Sequence, residues 1–339
     1  MKRVAPAIGL FFLAPFIAEY LLGDFPLTKL GYLVIMAPMY GGGALLIREV
    51  VRRSGKGWPT ILVLAFAYAV LEEAFTTQTL FNPNYLKLNL HLLDHAYIPA
   101  LGIGAWWTVF VLTLHTVWSI STSIALIEAF VPEHATTPWL RSPGLTVDAI
   151  LFILAAVAST RFEIHHDHFL ATRAQFLVSA LVIVLAVIAA FLLPARKAGT
   201  GPSPAPDPFA VGTLALIAAS FFLIVPPALG WVAVAIYLAL DVVVIVSVTA
   251  LSHRCGWNGR HRLALASGAA LAYGWHAFLT TPVGGGQTRL VVHGSHVACL
   301  LIVCGVIGLA ARRQARRGAS TITPAPCAVL PGDTSSPAT

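Results

Sequence analysis

The chain has 339 residues, of which 58% are hydrophobic and 10% charged, with a formal net charge of +7. A soluble domain carries about 25% charged residues, so a chain this apolar cannot cover a water-facing surface. Its basic residues sit at the ends of apolar runs and not on one polar stretch, which argues against a nucleic-acid partner and for the lipid bilayer.

A spanning helix needs about 20 mostly apolar residues, and a helix satisfies its own backbone in hydrocarbon. The sequence therefore predicts an all-α, polytopic integral membrane protein with about ten transmembrane helices. They are expected near 4–22, 30–51, 58–80, 103–130, 144–161, 172–194, 209–226, 229–252, 262–280 and 291–311. The first follows Met1-Lys2-Arg3 and imitates a signal peptide, but its apolar run continues through Glu19-Tyr20-Leu21-Leu22, so an uncleaved first helix is expected. With the N-terminus inside, sixteen Lys and Arg fall on the inner side and five on the outer: Lys29, Lys87, Arg161, Arg173 and Arg289. Cytoplasmic loops carry such an excess, so both termini are expected in the cytoplasm of a cell-membrane protein.

The stretch 199–208, GTGPSPAPDP, reads as a flexible, partly extended linker. It follows a first half, 1–198, which carries the polar candidates, and precedes the helices of 209–311. Residues 312–339 begin basic and continue rich in Pro, Ser, Thr and Ala, the composition of a disordered tail.

Charged groups inside spanning helices are costly and become functional candidates by default. The third predicted helix carries Tyr68, Glu72, Glu73, Thr76, Thr77 and Gln78. Glu72 stands about 21 Å along it from Trp58, inside the hydrocarbon core. Adjacent residues diverge by about 100° on a helix, so the two carboxylates are expected to do different jobs. The fourth helix brings His115 to similar depth, with Trp118 and Ser119 one turn on, and Glu19 and His276 fall in the same outer half. Glu72, Glu73 and His115 are the catalytic candidates. Glu19, Tyr68, Thr76, Gln78, Trp118, Ser119 and His276 are the binding candidates around them. Polar side chains also glue helices together, and that reading stands beside the functional one.

Three further features read as structural. Tyr40-Gly41-Gly42-Gly43-Ala44 lets a neighbouring backbone approach. Ile164-His165-His166-Asp167-His168 reads as a solvated outer loop, since no spacing announces a closed metal site; no metal or cofactor is expected. Asp241 is either a relay residue or the partner of a hydroxyl.

A Glu-Glu pair in one spanning helix and a His in the next resemble the CPBP family of intramembrane peptidases, which includes the prenyl-protein endopeptidases and bacteriocin-processing proteins. Glu72-Glu73 matches the pair of its first motif and His115 the His of its second; Thr77 stands at the first motif's Arg position. The resemblance implies peptide hydrolysis within the bilayer, one Glu activating water and the His assisting at the carbonyl of a membrane-embedded peptide or small molecule. Two alternatives remain open: a proton-coupled transporter built from two halves, and a non-catalytic membrane assembly protein.

Overall fold

The computed structural model describes residues 4–195, 199–283 and 285–320. Ten long helices run through the described residues. They are α1 (Val4–Leu21), α2 (Gly31–Arg53), α3 (Trp58–Thr76), α4 (Ala105–Phe130) and α5 (Ser142–Asp167), then α6 (Arg173–Leu192), α7 (Pro208–Ile224), α8 (Trp231–Ser252), α9 (Gly259–His276) and α10 (Arg289–Ser320). Eight are long and apolar enough to cross a membrane; α7 is shorter, and α9 is rich in Gly and Ala. Gln314 near the end of α10 donates to Ala129 O at 3.1 Å, while Leu27 N after α1 donates to Ser295 Oγ at 3.1 Å. Val4 and Arg317 thus share one end of the bundle, here the termini end, opposite the far end.

Burial divides the helices into two sets. The apolar window of α4 is 72% buried and that of α3 67%, while those of α5, α6 and α8 are only 6%, 11% and 17% buried. The outward Leu, Ile and Val of these last three form the face that hydrocarbon would cover, as expected of helices at the rim of a membrane bundle. The inner helices come from both halves of the chain: α9 packs on α4 and α7, and α10 on α4 and α9.

Close approach at the centre rests on glycine and proline acting together. Pro15 lacks the N–H that would bond to Phe11 O, four residues earlier. Gly41 of α2 lies against that same carbonyl oxygen, so close that any Cβ would collide with it. Gly43, two residues on, faces the Tyr68 ring of α3 with equally little room. The Gly-rich run packs α2 against α1 and α3, as its small residues predict.

Several expectations change. α5 continues to Asp167, so His165 and His166 form its last turn, and His168 caps it in the left-handed conformation at φ 56°. The His-rich stretch is therefore not a loop. Its Asp167 accepts from Asn82 Nδ2 at 2.6 Å and Leu86 N at 2.9 Å, clasping the long segment 77–104. α3 ends at Thr76, and α4 starts at Ala105 after a short hairpin of two-residue strands, β1 (Tyr97–Ile98) and β2 (Ile103–Gly104). The 199–208 stretch is extended yet pinned: Gly201 N donates to His253 O at 2.6 Å, and Cys255 N to Ser203 O at 2.8 Å. The expected disordered tail falls from 321 onward outside the described residues.

At the termini end, Arg48 and Arg52, two of the sixteen inner-side basic residues, are buried. Arg48 is 0% exposed and lies between Glu49 at 2.6 Å and Glu128 at 3.2 Å; Arg52 reaches Glu128 at 2.7 Å. Arg48 also donates to the carbonyls of His134, Ala135 and Thr137 and lies over the Trp139 ring at 3.3 Å. Glu49 accepts from Trp139 N and Leu140 N at 2.8 and 3.0 Å. Nearly every donor and acceptor is used, the condition under which buried charge is tolerable. The cluster fastens the α4–α5 connection to α2.

Candidate functional site

Three of the inner helices are irregular, and each irregularity holds a polar candidate. α1 becomes a π-helix over Phe16–Leu21, α3 over Glu72–Thr76 and α4 over His115–Thr122. Glu19, the Glu72-Glu73 pair and the His115/Ser119 pair lie within them. Thr77 N–H reaches back five residues to Glu72 O at 2.9 Å, and Asp24 N–H to Glu19 O at 2.9 Å. Such widened turns occur mostly as short insertions, often at functional sites.

The His115 ring lies between the two carboxylates. Its Nε2 is 2.9 Å from Glu73 Oε1, and its Nδ1 is 3.1 Å from Glu72 Oε2. The expected divergence of adjacent side chains therefore does not part them, because one imidazole spans the gap with a nitrogen for each. Glu72, Glu73 and His115 are 2%, 4% and 5% exposed, which shuts out bulk water.

The two glutamates are held differently. Glu73 has Oε1 against the imidazole at 2.9 Å and accepts on Oε2 from the Thr79 hydroxyl, which itself accepts from Trp107 Nε1 at 3.0 Å. Thr77 adds a 3.4 Å contact to the same oxygen. Glu72 Oε2 is close to Nδ1 but makes no hydrogen bond; the Nδ1 contact with hydrogen-bond geometry goes to Ser119 Oγ at 3.1 Å. Each carboxylate lies within ion-pair distance of one ring nitrogen, and what separates them is the hydroxyl support: Thr79 and Thr77 reach Glu73 Oε2, while Glu72 Oε2 has no hydrogen-bond donor.

Tyr40 of α2 closes the next side. Its ring stacks on His115 with centroids 5.9 Å apart, and its hydroxyl donates to Glu19 Oε1 at 2.5 Å. Tyr68 Oη and Thr76 Oγ1 are buried hydroxyls without a hydrogen-bond partner among the described residues. Tyr68, Thr76 and Ser119 thus lie on the helices that carry the group, and Glu19 reaches it through Tyr40.

Gln78, Trp118 and His276 do not join it. Gln78, at φ 55°, accepts on Oε1 from Ala171 N at 2.8 Å and ties α3 to the α5–α6 loop. Trp118 donates to Ala269 O at 2.8 Å and stacks on Tyr273 with centroids 4.6 Å apart, joining α4 to α9. His276 meets Trp275 edge-on at the end of α9. Asp241 accepts from Thr113 Oγ1 at 2.9 Å, so it has a hydroxyl partner. Sequence reasoning missed Tyr40 and Thr79. Tyr40 precedes the Gly run that was read only as packing, and Thr79 lies past the end of α3, where no helical spacing points to it.

Glu72, Glu73 and His115 can also hold a metal ion, since one ligand atom from each lies within 4.8 Å of the others. Nothing in the single-residue spacing had suggested a cation there. Three protein ligands leave a position open for water, as in catalytic centres.

Fold and site together define a polytopic, all-helical membrane protein with a carboxylate–imidazole–carboxylate group buried in its bundle. The chain belongs to an uncharacterized membrane protein family, whose model matches residues 10–330. That family match is not to the CPBP peptidases, so the likeness to them remains one of short motifs. No curated protein and no solved structure matches the chain.

Proposed function

We propose that the chain is an intramembrane hydrolase in which Glu72 is the general base and proton carrier, His115 the electrophilic group that stabilises the oxyanion, and Glu73 the positioning residue. The observation that carries this reading is the asymmetry of the two carboxylates about one imidazole. Glu73 has one oxygen against the ring and the other bound by the Thr79 hydroxyl, while Glu72 Oε2 is buried beside the ring without a hydrogen bond. A positioned carboxylate within reach of a water is the requirement for general-base catalysis.

In the proposed step Glu72 takes a proton from water as the water oxygen bonds to a substrate carbonyl carbon. His115 donates a hydrogen bond to the developing oxyanion. The intermediate then collapses: the bond to the leaving nitrogen breaks, and that nitrogen takes the proton held by Glu72. Peptide bonds are the substrate class that the motif likeness favours.

The test compares membranes containing the wild-type chain with membranes containing Glu72→Gln, profiling new peptide N-termini by mass spectrometry. Peptides made by the wild type and absent from Glu72→Gln support the reading; identical profiles overturn it. Metal content separates the mechanisms. A stoichiometric divalent ion in purified wild type, lost in His115→Ala, would replace the carboxylate base with a metal-activated water.

A further inference from the structure

Toward the far end, α5 and α6 part company. α5 packs along α2 and α6 along α3, and over the last turns of α3 they leave a crevice of about 430 Å³. Its walls are Leu71 and Phe75 of α3, Ala156 of α5, and Ile183 and Val184 of α6. That volume equals about 14 waters at about 30 Å³ each, far more than the few polar atoms of the lining could hold at two to four partners per water.

Three polar residues complete the lining. Thr160 spends its hydroxyl on Ala156 O at 2.7 Å. Thr76 is 2% exposed, and its Oγ1 has no partner among the described residues. Arg161 is exposed and forms no hydrogen bond or ion pair among the described residues. α5 is 26 residues long, about 39 Å at about 1.5 Å per residue, so it overruns a core about 30 Å thick. Arg161 lies about 28 Å from its start, at the depth where headgroups begin.

We infer that this crevice holds one acyl chain of an anionic membrane phospholipid, with the phosphate on Arg161 and an ester carbonyl accepting from Thr76. A dry apolar cleft open to hydrocarbon takes a hydrocarbon chain. A guanidinium without a carboxylate partner suits a phosphate, which it grips through two parallel hydrogen bonds. One free hydroxyl matches one ester oxygen, whereas a peptide segment would bring several backbone groups needing partners in a water-free site. The inference does not depend on the hydrolase reading, because it concerns the lipid side of α3 and requires no turnover.

The full chain is reconstituted in phosphatidylcholine nanodiscs doped with phosphatidylglycerol bearing a diazirine partway along one acyl chain, irradiated, and mapped by peptide mass spectrometry. Labels are expected to concentrate in 71–76, 156–161 and 180–184, and to fall on adding unlabelled phosphatidylglycerol. Ala180 of α6 also lines the crevice, so Ala180→Trp should fill it and lose these labels while keeping those on the exposed face of α8. Arg161→Gln should cut the preference for phosphatidylglycerol over the matching phosphatidylcholine probe by roughly tenfold, about the worth of one charge-assisted contact. Labels spread over α5, α6 and α8 in proportion to exposure would overturn the proposal, as would labels surviving in folded Ala180→Trp. If that variant fails to fold, equal labelling of the wild-type crevice by both probes overturns it instead.

Discussion

Glu73 holds His115 from the side opposite Glu72: its Oε1 lies 2.9 Å from the imidazole Nε2, and the Thr79 hydroxyl holds its other oxygen. The orientation of the ring is thus set from α3, although the ring belongs to α4.

Thr79 is therefore expected to matter without touching substrate. A hydrogen bond to a charged group contributes about 1.5–3 kcal/mol, so Thr79→Val should lower the rate about tenfold or more. Thr79→Ser should restore most of it. Rates on whichever peptide the N-terminal profiling identifies give the check, and equal rates in both variants would show that Thr79 does not orient the pair.

Replacing either essential group should cost on the order of 10²–10⁴-fold, the range of general acid–base catalysis. Glu72→Gln should lose activity almost wholly and Glu73→Gln only in part. The reverse order would exchange the two roles.

The buried cluster at the termini end predicts a stability effect without a selective functional one. Glu128→Ala leaves Arg52 and Arg48 without that carboxylate, and breaking a buried pair this way costs about 3–5 kcal/mol. Unfolding in mixed detergent micelles measures it. A change within the error of wild type would show that water reaches the cluster.

Gly41→Ala should destabilise by about 1–3 kcal/mol, the usual cost of overpacking, because the added carbon meets backbone at Phe11 and no side chain can yield. Gly31→Ala, with open space around it, is the control. Equal melting temperatures for the two would contradict the close contact of α1 and α2.

Asp24, in the loop after α1, carries a pH dependence. Burial chiefly, and Glu19 beside it, push its carboxyl from 3.8 up to about 8. The folded chain holds this proton more tightly than the unfolded one. The resulting stability is complete below about pH 4, declines as pH rises, and is gone above about pH 8. Asp24→Asn should remove this component, flattening the melting temperature between pH 6 and pH 9; an unchanged slope would count against it.

The spans were legible because hydropathy and length suffice for them, and the depth of Glu72, Glu73 and His115 followed from counting along helices. Depth does not fix facing. Trp118 and His276 share the depth of the group, yet Trp118 turns to Ala269 and His276 ends its own helix beside Trp275. The π-helical turns left no mark in composition, since a widened turn is chosen by what packs around it. The inner Arg residues misled in another way. As a topology signal Arg48 and Arg52 counted as inner-side charges, and nothing in a sum of charges reveals that both pair with Glu128, 80 residues from Arg48.

Regular helix would place His115 and Glu128 on nearly opposite sides of α4. Thirteen residues at about 100° each leave them about 140° apart. Yet both meet α2, His115 at Tyr40 and Glu128 at Arg48. The widened turn at His115–Thr122 unwinds the helix between them and works as a phase corrector, bringing two polar stations onto one partner helix. Deleting a single residue there would shift the beat of everything downstream, so that α4 could keep time with α2 at one station only.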